Sequence, residues 1–358
     1  MTDLTLFDLD LGPAPPEPAP AAAARRLPVT PLRGPAVPPA PSAVRAPRLL
    51  AVDGNSLAHR AFHAYADGEL ADSQGRPRGA VYGFLALLSG ICDRVGPDAV
   101  VVGFDCRQSS ARRDRYPAYK AQRPDKDPSL TLQLDDLAWL LDRLGALVVR
   151  PEGWEADDVL GSAAAAAEAA GWDCVLTTSD RDAYGLLSDR TRLLQLGSGL
   201  DRAVEVTAAS LTKRVGVGPA QYLEFAALRG DSSDNLPGIP GIGAKRAKAL
   251  LREYPSVAAA AADPIGCRSV LGRPLGQALL DDLSDPATSV FHRNIELMTI
   301  RRDLPVDVDA GRRSVSADDV ERYLLAVELP TLVRRVAVAL AVRPDLPPPP
   351  GDDDAPPF

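Results

Sequence analysis

At 358 residues, with 46% hydrophobic and 25% charged side chains, the chain is long enough to bury one large core or two smaller ones, and it is too apolar to be disordered throughout. Its formal net charge of −8 speaks against nucleic acid as a partner, unless part of the acid is neutralised by metal. The four scattered cysteines, Cys92, Cys106, Cys174 and Cys267, form no C-x-x-C pair and no stretch of 18 apolar residues exists, which argues against structural zinc and a membrane span and fits a cytoplasmic protein.

Residues 1–47 hold 12 of the 34 prolines and residues 343–358 hold 7, so both ends read as disordered tails. Arg25 and Arg26 are followed by "LPVTPLRGP", whose prolines break any apolar export region. Between the tails, "RLLAVDG" (48 to 54), "DAVVVGFD" (98 to 105) and "WDCVLTTSD" (172 to 180) are short apolar runs, each reaching an aspartate. They alternate with helical patterns in "GAVYGFLALLSGICDRV", "LTLQLDDLAWLLDRLG" and "EADDVLGSAAAAAEAAG". Alternation of this kind predicts an α/β core over 48–206 with a mainly parallel sheet, followed by a helical part over 207–342.

Ligands of such sheets bind at the carboxyl ends of the strands, which is where Asp53, Asp105 and Asp180 fall, with Asp182 two residues on. "PEGWEADDVL" adds Glu155, Asp157 and Asp158 at the start of a helix, with Glu155 and Asp158 three apart on one face. Taken singly, these acids read as helix caps or strand-end turns. Together they carry a repulsion that cations must relieve, and oxygen ligands without His or Cys select Mg²⁺ or Mn²⁺. Two such ions about 4 Å apart suit displacement at a phosphodiester.

"RGDSSDNLPGIPGIGAKRAKALL" contributes Asp231 and Asp234, then a helix-hairpin-helix over 231–251. Gly238, Gly241 and Gly243 let backbone N–H groups approach a DNA phosphate, and Lys245, Arg246 and Lys248 add positive charge. A P-loop reading fails because Ala244 stands where its lysine belongs. In "RQSSARRDRYPAYKAQRP", Arg107, Arg112, Arg113, Arg115, Lys120 and Arg123 alternate with Tyr116 and Tyr119, a mix suited to phosphate contact and stacking on single strands. His59 and His63 have zinc-site spacing but lack the accompanying Glu, so they read as packed or surface histidines.

"VDGNSLAHRAFHA", "VYGF", "FD", "RYPAYKAQR", "EADD", "TSDRD" and "GDSSDNLPGIPGIGAK", in this order, make residues 48 to 340 resemble the bacterial 5′→3′ exonuclease and flap endonuclease family, the nuclease module of type I DNA polymerases. The resemblance implies a PIN-like core, a helical arch over 107–130 and a structure-specific nuclease acting on 5′ flaps, nicks, gapped duplex and RNA primers in replication and repair. It assigns Asp53, Asp105, Glu155, Asp157 and Asp158 to a first metal and Asp180, Asp182, Asp231 and Asp234 to a second. It places Lys120 and Arg123 in the arch near the scissile phosphate, Arg112 at the arch base and K⁺ at the hairpin, and with Tyr119 of the same basic run these residues are expected on DNA. Ala111 departs from relatives that often carry an aromatic there. Setting the nine site acids aside leaves the rest of the chain at +1, which permits a basic face. A PIN-like ribonuclease would lack the hairpin and arch, and a non-catalytic binder of branched DNA would be expected to have lost site acids. The closing "PPPPGDDDAPPF" predicts a free-standing nuclease, and a monomeric, nucleoid-associated enzyme is expected. At the other end, Leu4, Leu6 and Phe7 in "DLTLF" resemble the bacterial sliding-clamp peptide Q-L-x-L-F, with Asp3 replacing the glutamine.

Overall fold

A computed structural model describes residues 45–65, 70–197 and 199–342. The Leu4, Leu6 and Phe7 motif and both predicted tails lie outside the described residues, apart from the last few positions before the first strand.

A six-stranded sheet in the order β3-β2-β1-β4-β5-β6 organises the chain. Its strands are β1 (Arg48–Asp53), β2 (Ala99–Gly103), β3 (Leu147–Val149), β4 (Asp173–Thr177), β5 (Thr191–Gln195) and β6 (Val204–Val206). All neighbours pair in parallel except β5 with β6. β1 is apolar on both faces because it is central: Leu49 and Ala51 enter one core, Leu50 and Val52 the other. β3, β5 and β6 go unread in the sequence because each is short or mixed in polarity.

One face carries α1 (Gly54–Ala64), α2 (Gly79–Val95) and α4 (Pro128–Arg143). α2 stops at Gly96, which adopts the left-handed conformation at φ 59°. The short α3 (Ala111–Arg115) precedes α4. The opposite face carries α5 (Ala156–Ala169), whose alanines allow close approach to the sheet; a Cβ on Gly103 would lie 2.7 Å from Val159. The same core takes in the helices that follow the sheet, among them α6 (Ala208–Val215), α7 (Pro219–Arg229), which packs on the turn over Asp182–Leu186, and α8 (Ala244–Glu253). α9 (Val257–Ala261), α10 (Pro264–Leu271), α11 (Arg273–Leu283) and α12 (Val290–Met298) complete that layer. α13 (Ala317–Ala326) and α14 (Val333–Leu340), expected with the helical part, instead return to the first face, where Val320, Leu324, Val336 and Leu340 join the core of α2.

The stretch expected as a helical arch is helical only in α3 and at the start of α4; residues 116–127 run as turns and extended backbone. Pro117 and Pro124 remove helix donors there, and Lys120 sits at φ 54°. No described helix is long and apolar enough to cross a membrane.

Candidate metal centre and nucleic-acid interface

Strand order 3-2-1-4 reverses its direction across the sheet between the parallel strands β1 and β4, and at such a switch point parallel sheets bind ligands. Asp53 ends β1 and Asp180 follows β4, so both stand at this crevice. Asp53 accepts from Ser56 N at 2.8 Å, capping α1, and from Thr178 Oγ1 at 2.8 Å. Burial, with the charges of Asp105 and Asp180, pushes its carboxyl up to about 7.

Asp105, just past β2, accepts from Asn55 Nδ2 at 2.5 Å, Ala156 N at 3.1 Å and Lys126 Nζ at 3.3 Å. Glu155 opens α5 and accepts from Lys120 Nζ at 3.0 Å and Tyr119 Oη at 3.0 Å. Asp157, in the first turn of α5, has its Oδ1 enclosed without a partner. Burial and the charges of Asp180 and Asp53 raise its carboxyl well above the usual range.

Asp182 lies in a 3₁₀ turn over Asp182–Leu186, and burial plus Asp180, Asp231 and Asp234 push it up to about 8. Asp231 ends β7 (Gly230–Asp231) and Asp234 stands in the tight loop that joins it to β8 (Leu236–Pro237). Gly230, at φ 79°, makes this closure feasible, since a Cβ there would lie 2.2 Å from Gly238 N. Asp234 accepts from Arg123 at 2.6 Å, and Lys120 Nζ stands 3.8 Å away. Burial raises the Asp234 carboxyl, against the pull of both cations.

Three predicted site residues are placed elsewhere. Asp158 is 0% exposed and its oxygens are taken by neighbours: Arg112, which also donates to Glu155 at 3.3 Å, donates to its two oxygens at 2.6 and 2.7 Å, Glu155 N at 3.0 Å and Arg301 N at 2.9 Å. It serves as a cap and counter-ion behind the site. Arg112, expected on DNA, is 6% exposed and also donates to the carbonyls of Leu297 and Thr299. Tyr119, likewise expected on DNA, is 3% exposed with its hydroxyl spent on Glu155. Asn55, Thr178 and Lys126 were missed, although Lys126 stands three residues beyond Arg123 in the same basic run.

The donors fit hard cations: all oxygen, one buried oxygen unpartnered, and four carboxyls, those of Asp53, Asp157, Asp182 and Asp234, raised chiefly by burial and further by neighbouring acids. Among the described residues no three acidic, His or Cys side chains form a ready-made cage. Lys120, Arg123 and Lys126 lie among the acids as counter-ions. His59 and His63 are exposed on α1 with Nε2 atoms 3.2 Å apart.

At the hairpin, Gly241 is at φ 80° and Gly243 caps α8 with open space where a Cβ would be. Lys245 is exposed on α8, and Lys248 lies over the Phe225 ring at 5.8 Å. Gly241 O accepts from Arg246 at 2.8 Å.

Residues 48–216 match the family described as 5′-3′ exonuclease, N-terminal resolvase-like domain, and residues 217–321 match its C-terminal SAM fold. DNA polymerase I of Mycobacterium tuberculosis is 38% identical over 268 residues, 75% of this chain and 29% of that protein. Thermostable DNA polymerase I of Thermus aquaticus is 37% identical over 287 residues, 80% of this chain and 32% of that protein. The chain thus spans about a third of the length of the curated relatives it matches. T5 5′-exonuclease with bound divalent metal ions (zinc) shares the fold, with a TM-score of 0.56 at 20% identity over 82% of this chain and 99% of that one. A mainly parallel sheet with acids at its crevice, followed by a helical layer with a glycine hairpin, therefore coincides with a two-part match along most of the sequence, and the chain belongs to the 5′-3′ exonuclease family.

Proposed function

We propose that the protein is a metal-dependent 5′-3′ exonuclease and 5′-flap endonuclease that hydrolyses phosphodiesters of DNA, and of RNA primers, in replication and repair. The observation that carries this reading is the enclosed, partnerless Oδ1 of Asp157 among carboxyls raised by burial and by one another. Asp53, Asp105, Glu155 and Asp157 would hold one Mg²⁺ or Mn²⁺, and Asp180, Asp182, Asp231 and Asp234 a second. Such ions supply Lewis-acid stabilisation of the attacking and leaving oxygens of a phosphodiester.

The chain's own residues do the rest. Asp158 and Arg112 hold the start of α5, and so Glu155 and Asp157, in place. Lys120 keeps its ammonium between Glu155 and Asp234, where it meets a phosphate oxygen of the bound strand and steadies the charge that builds there. Its ammonium is held protonated: burial lowers its pKa, but Glu155 and Asp234 raise it further. Arg123 and Lys126 hold the strand beside it. The hairpin from Gly238 to Lys248 grips duplex backbone through open N–H groups and lysines. A K⁺ ion there would require Arg246 to release Gly241 O. Leu4, Leu6 and Phe7 tether the enzyme, as a monomer, to a sliding clamp.

The test is incubation of the purified protein with end-labelled 5′-flap, nicked and single-stranded substrates, with Mg²⁺ or with chelator. Flap cleavage only with the metal is expected. No cleavage of any substrate with Mg²⁺ or Mn²⁺ refutes the reading.

A further inference from the structure

Between Arg229 and Arg301 no lysine or arginine makes an ion pair with a carboxylate among the described residues, in contrast to the cations around the acidic crevice. Two of these unneutralised cations, Arg268 and Arg273, line a groove of about 610 Å³ with Ile265, Ser269 and Gln277 where α10 meets α11. The helices cross in contact because Gly276 has no side chain: a Cβ there would lie 2.6 Å from Arg268 Cα. That crossing plants one guanidinium on each wall.

Arg268 is held by a neutral partner. Its guanidinium donates to Gln277 Oε1 at 3.1 Å, and Gln277 Nε2 in turn donates to Asp281 Oδ1 at 2.8 Å. The amide orients the cation without cancelling its charge, which suits an anion arriving from outside. Arg273 opens α11, so the positive end of that helix dipole adds to the groove. Ile265, 78% exposed, offers an apolar surface of the kind that packs against a sugar face.

The groove adjoins the hairpin, since a Cβ on Gly241 would lie 2.7 Å from Leu275 Cδ2 of α11. We propose that it is a second phosphate-binding surface, taking the nucleic-acid backbone as the duplex arm leaves the hairpin. This rests on the DNA-binding reading above and extends its footprint past Lys245 and Lys248.

The test uses the full chain carrying Arg268→Gln and Arg273→Gln together, which keeps the packing stems and removes the charge. Binding to flap DNA with a long and with a shortened duplex arm is measured at several salt concentrations. With the long arm the variant loses about 2 from the slope of log affinity against log salt, one unit per lost phosphate contact. With the short arm the slopes of variant and parent agree, and kcat at saturating substrate is unchanged. Equal slopes on the long arm, in a parent that binds DNA, overturn the groove. A parent that binds no DNA overturns the reading beneath it, and the groove with it.

Discussion

Arg112 grips both carboxylate oxygens of Asp158, at 2.6 and 2.7 Å, in a place closed to solvent. Burial works against the arginine's charge, yet the hydrogen bonds and charge of Asp158 more than offset it and hold the guanidinium protonated beyond its ordinary range. Breaking one side of a buried pair costs about 3–5 kcal/mol because the other charge is stranded. Asp158→Asn and Arg112→Met should each lower stability by that order in urea denaturation. Metal affinity of the folded Asp158→Asn protein should stay within a few-fold of the parent. A large loss of metal affinity at unchanged stability would return Asp158 to the metal.

Asp157→Asn should abolish cleavage while flap-DNA binding holds within a few-fold, since the acids serve metal and the basic segments serve affinity. In chelator the same variant should melt at a higher temperature than the parent, because an ionised Asp157 is disfavoured by burial and by Asp180 and Asp53. A lower melting temperature without metal would contradict this account of the charge.

The pH dependence follows from Asp53 and Asp182, raised to about 7 and about 8. In metal-free protein the folded state keeps these protons after the unfolded chain has lost them. Their contribution to stability is therefore present at low pH and lost as pH rises toward 8. Divalent metal favours the ionised forms, so the gain in Tm on adding Mg²⁺ or Mn²⁺ should be larger at pH 8 than at pH 6. Differential scanning fluorimetry at both values checks it, and an equal gain at each would rule it out.

Lys120→Ala should lower kcat far more than it weakens flap binding, because a charge beside the reacting phosphate acts on the chemical step. Lys245→Ala with Lys248→Ala should do the reverse, weakening binding and reducing its salt slope by about 2. Single-turnover rates and binding isotherms separate the two effects. Identical profiles for the two variants would remove the division of labour.

A peptide of residues 1 to 12 should bind purified clamp from the same organism, and a Leu6→Ala, Phe7→Ala version should not. No binding at about 100 μM, near −5.5 kcal/mol, or equal binding by both peptides sinks the tether.

The acids at strand ends were legible because a parallel sheet delivers every strand's carboxyl end to one edge, so Asp53, Asp105 and Asp180 needed only the strands around them. Helices such as α2 and α8 were legible from apolar spacing and glycine ends. Partner choice was not. Arg112 lies 46 positions from Asp158, and in a run of arginines nothing local marks the one that turns inward. Tyr119 reads as a stacking aromatic until Glu155, 36 positions away, is seen to take its hydroxyl. The 116–127 stretch misled in the same way: its cations fold down onto carboxylates supplied by three other segments.

Arg123 and Asp234 meet across 111 positions, and Asn235 Nδ2 reaches Ala118 O across 117. Loop length does not separate this seam from the sheet, since β1 meets β4 across 125 positions, but the sheet and its helices bury a wide apolar surface whereas the seam is held by polar contacts between two loops. During refolding the sheet and its helices should therefore consolidate first, and the seam between the 118–123 turn and the 231–235 loop should close last. Regain of nuclease activity should trail regain of secondary structure, so that a newly collapsed molecule passes through an interval in which it is compact but cannot yet cut.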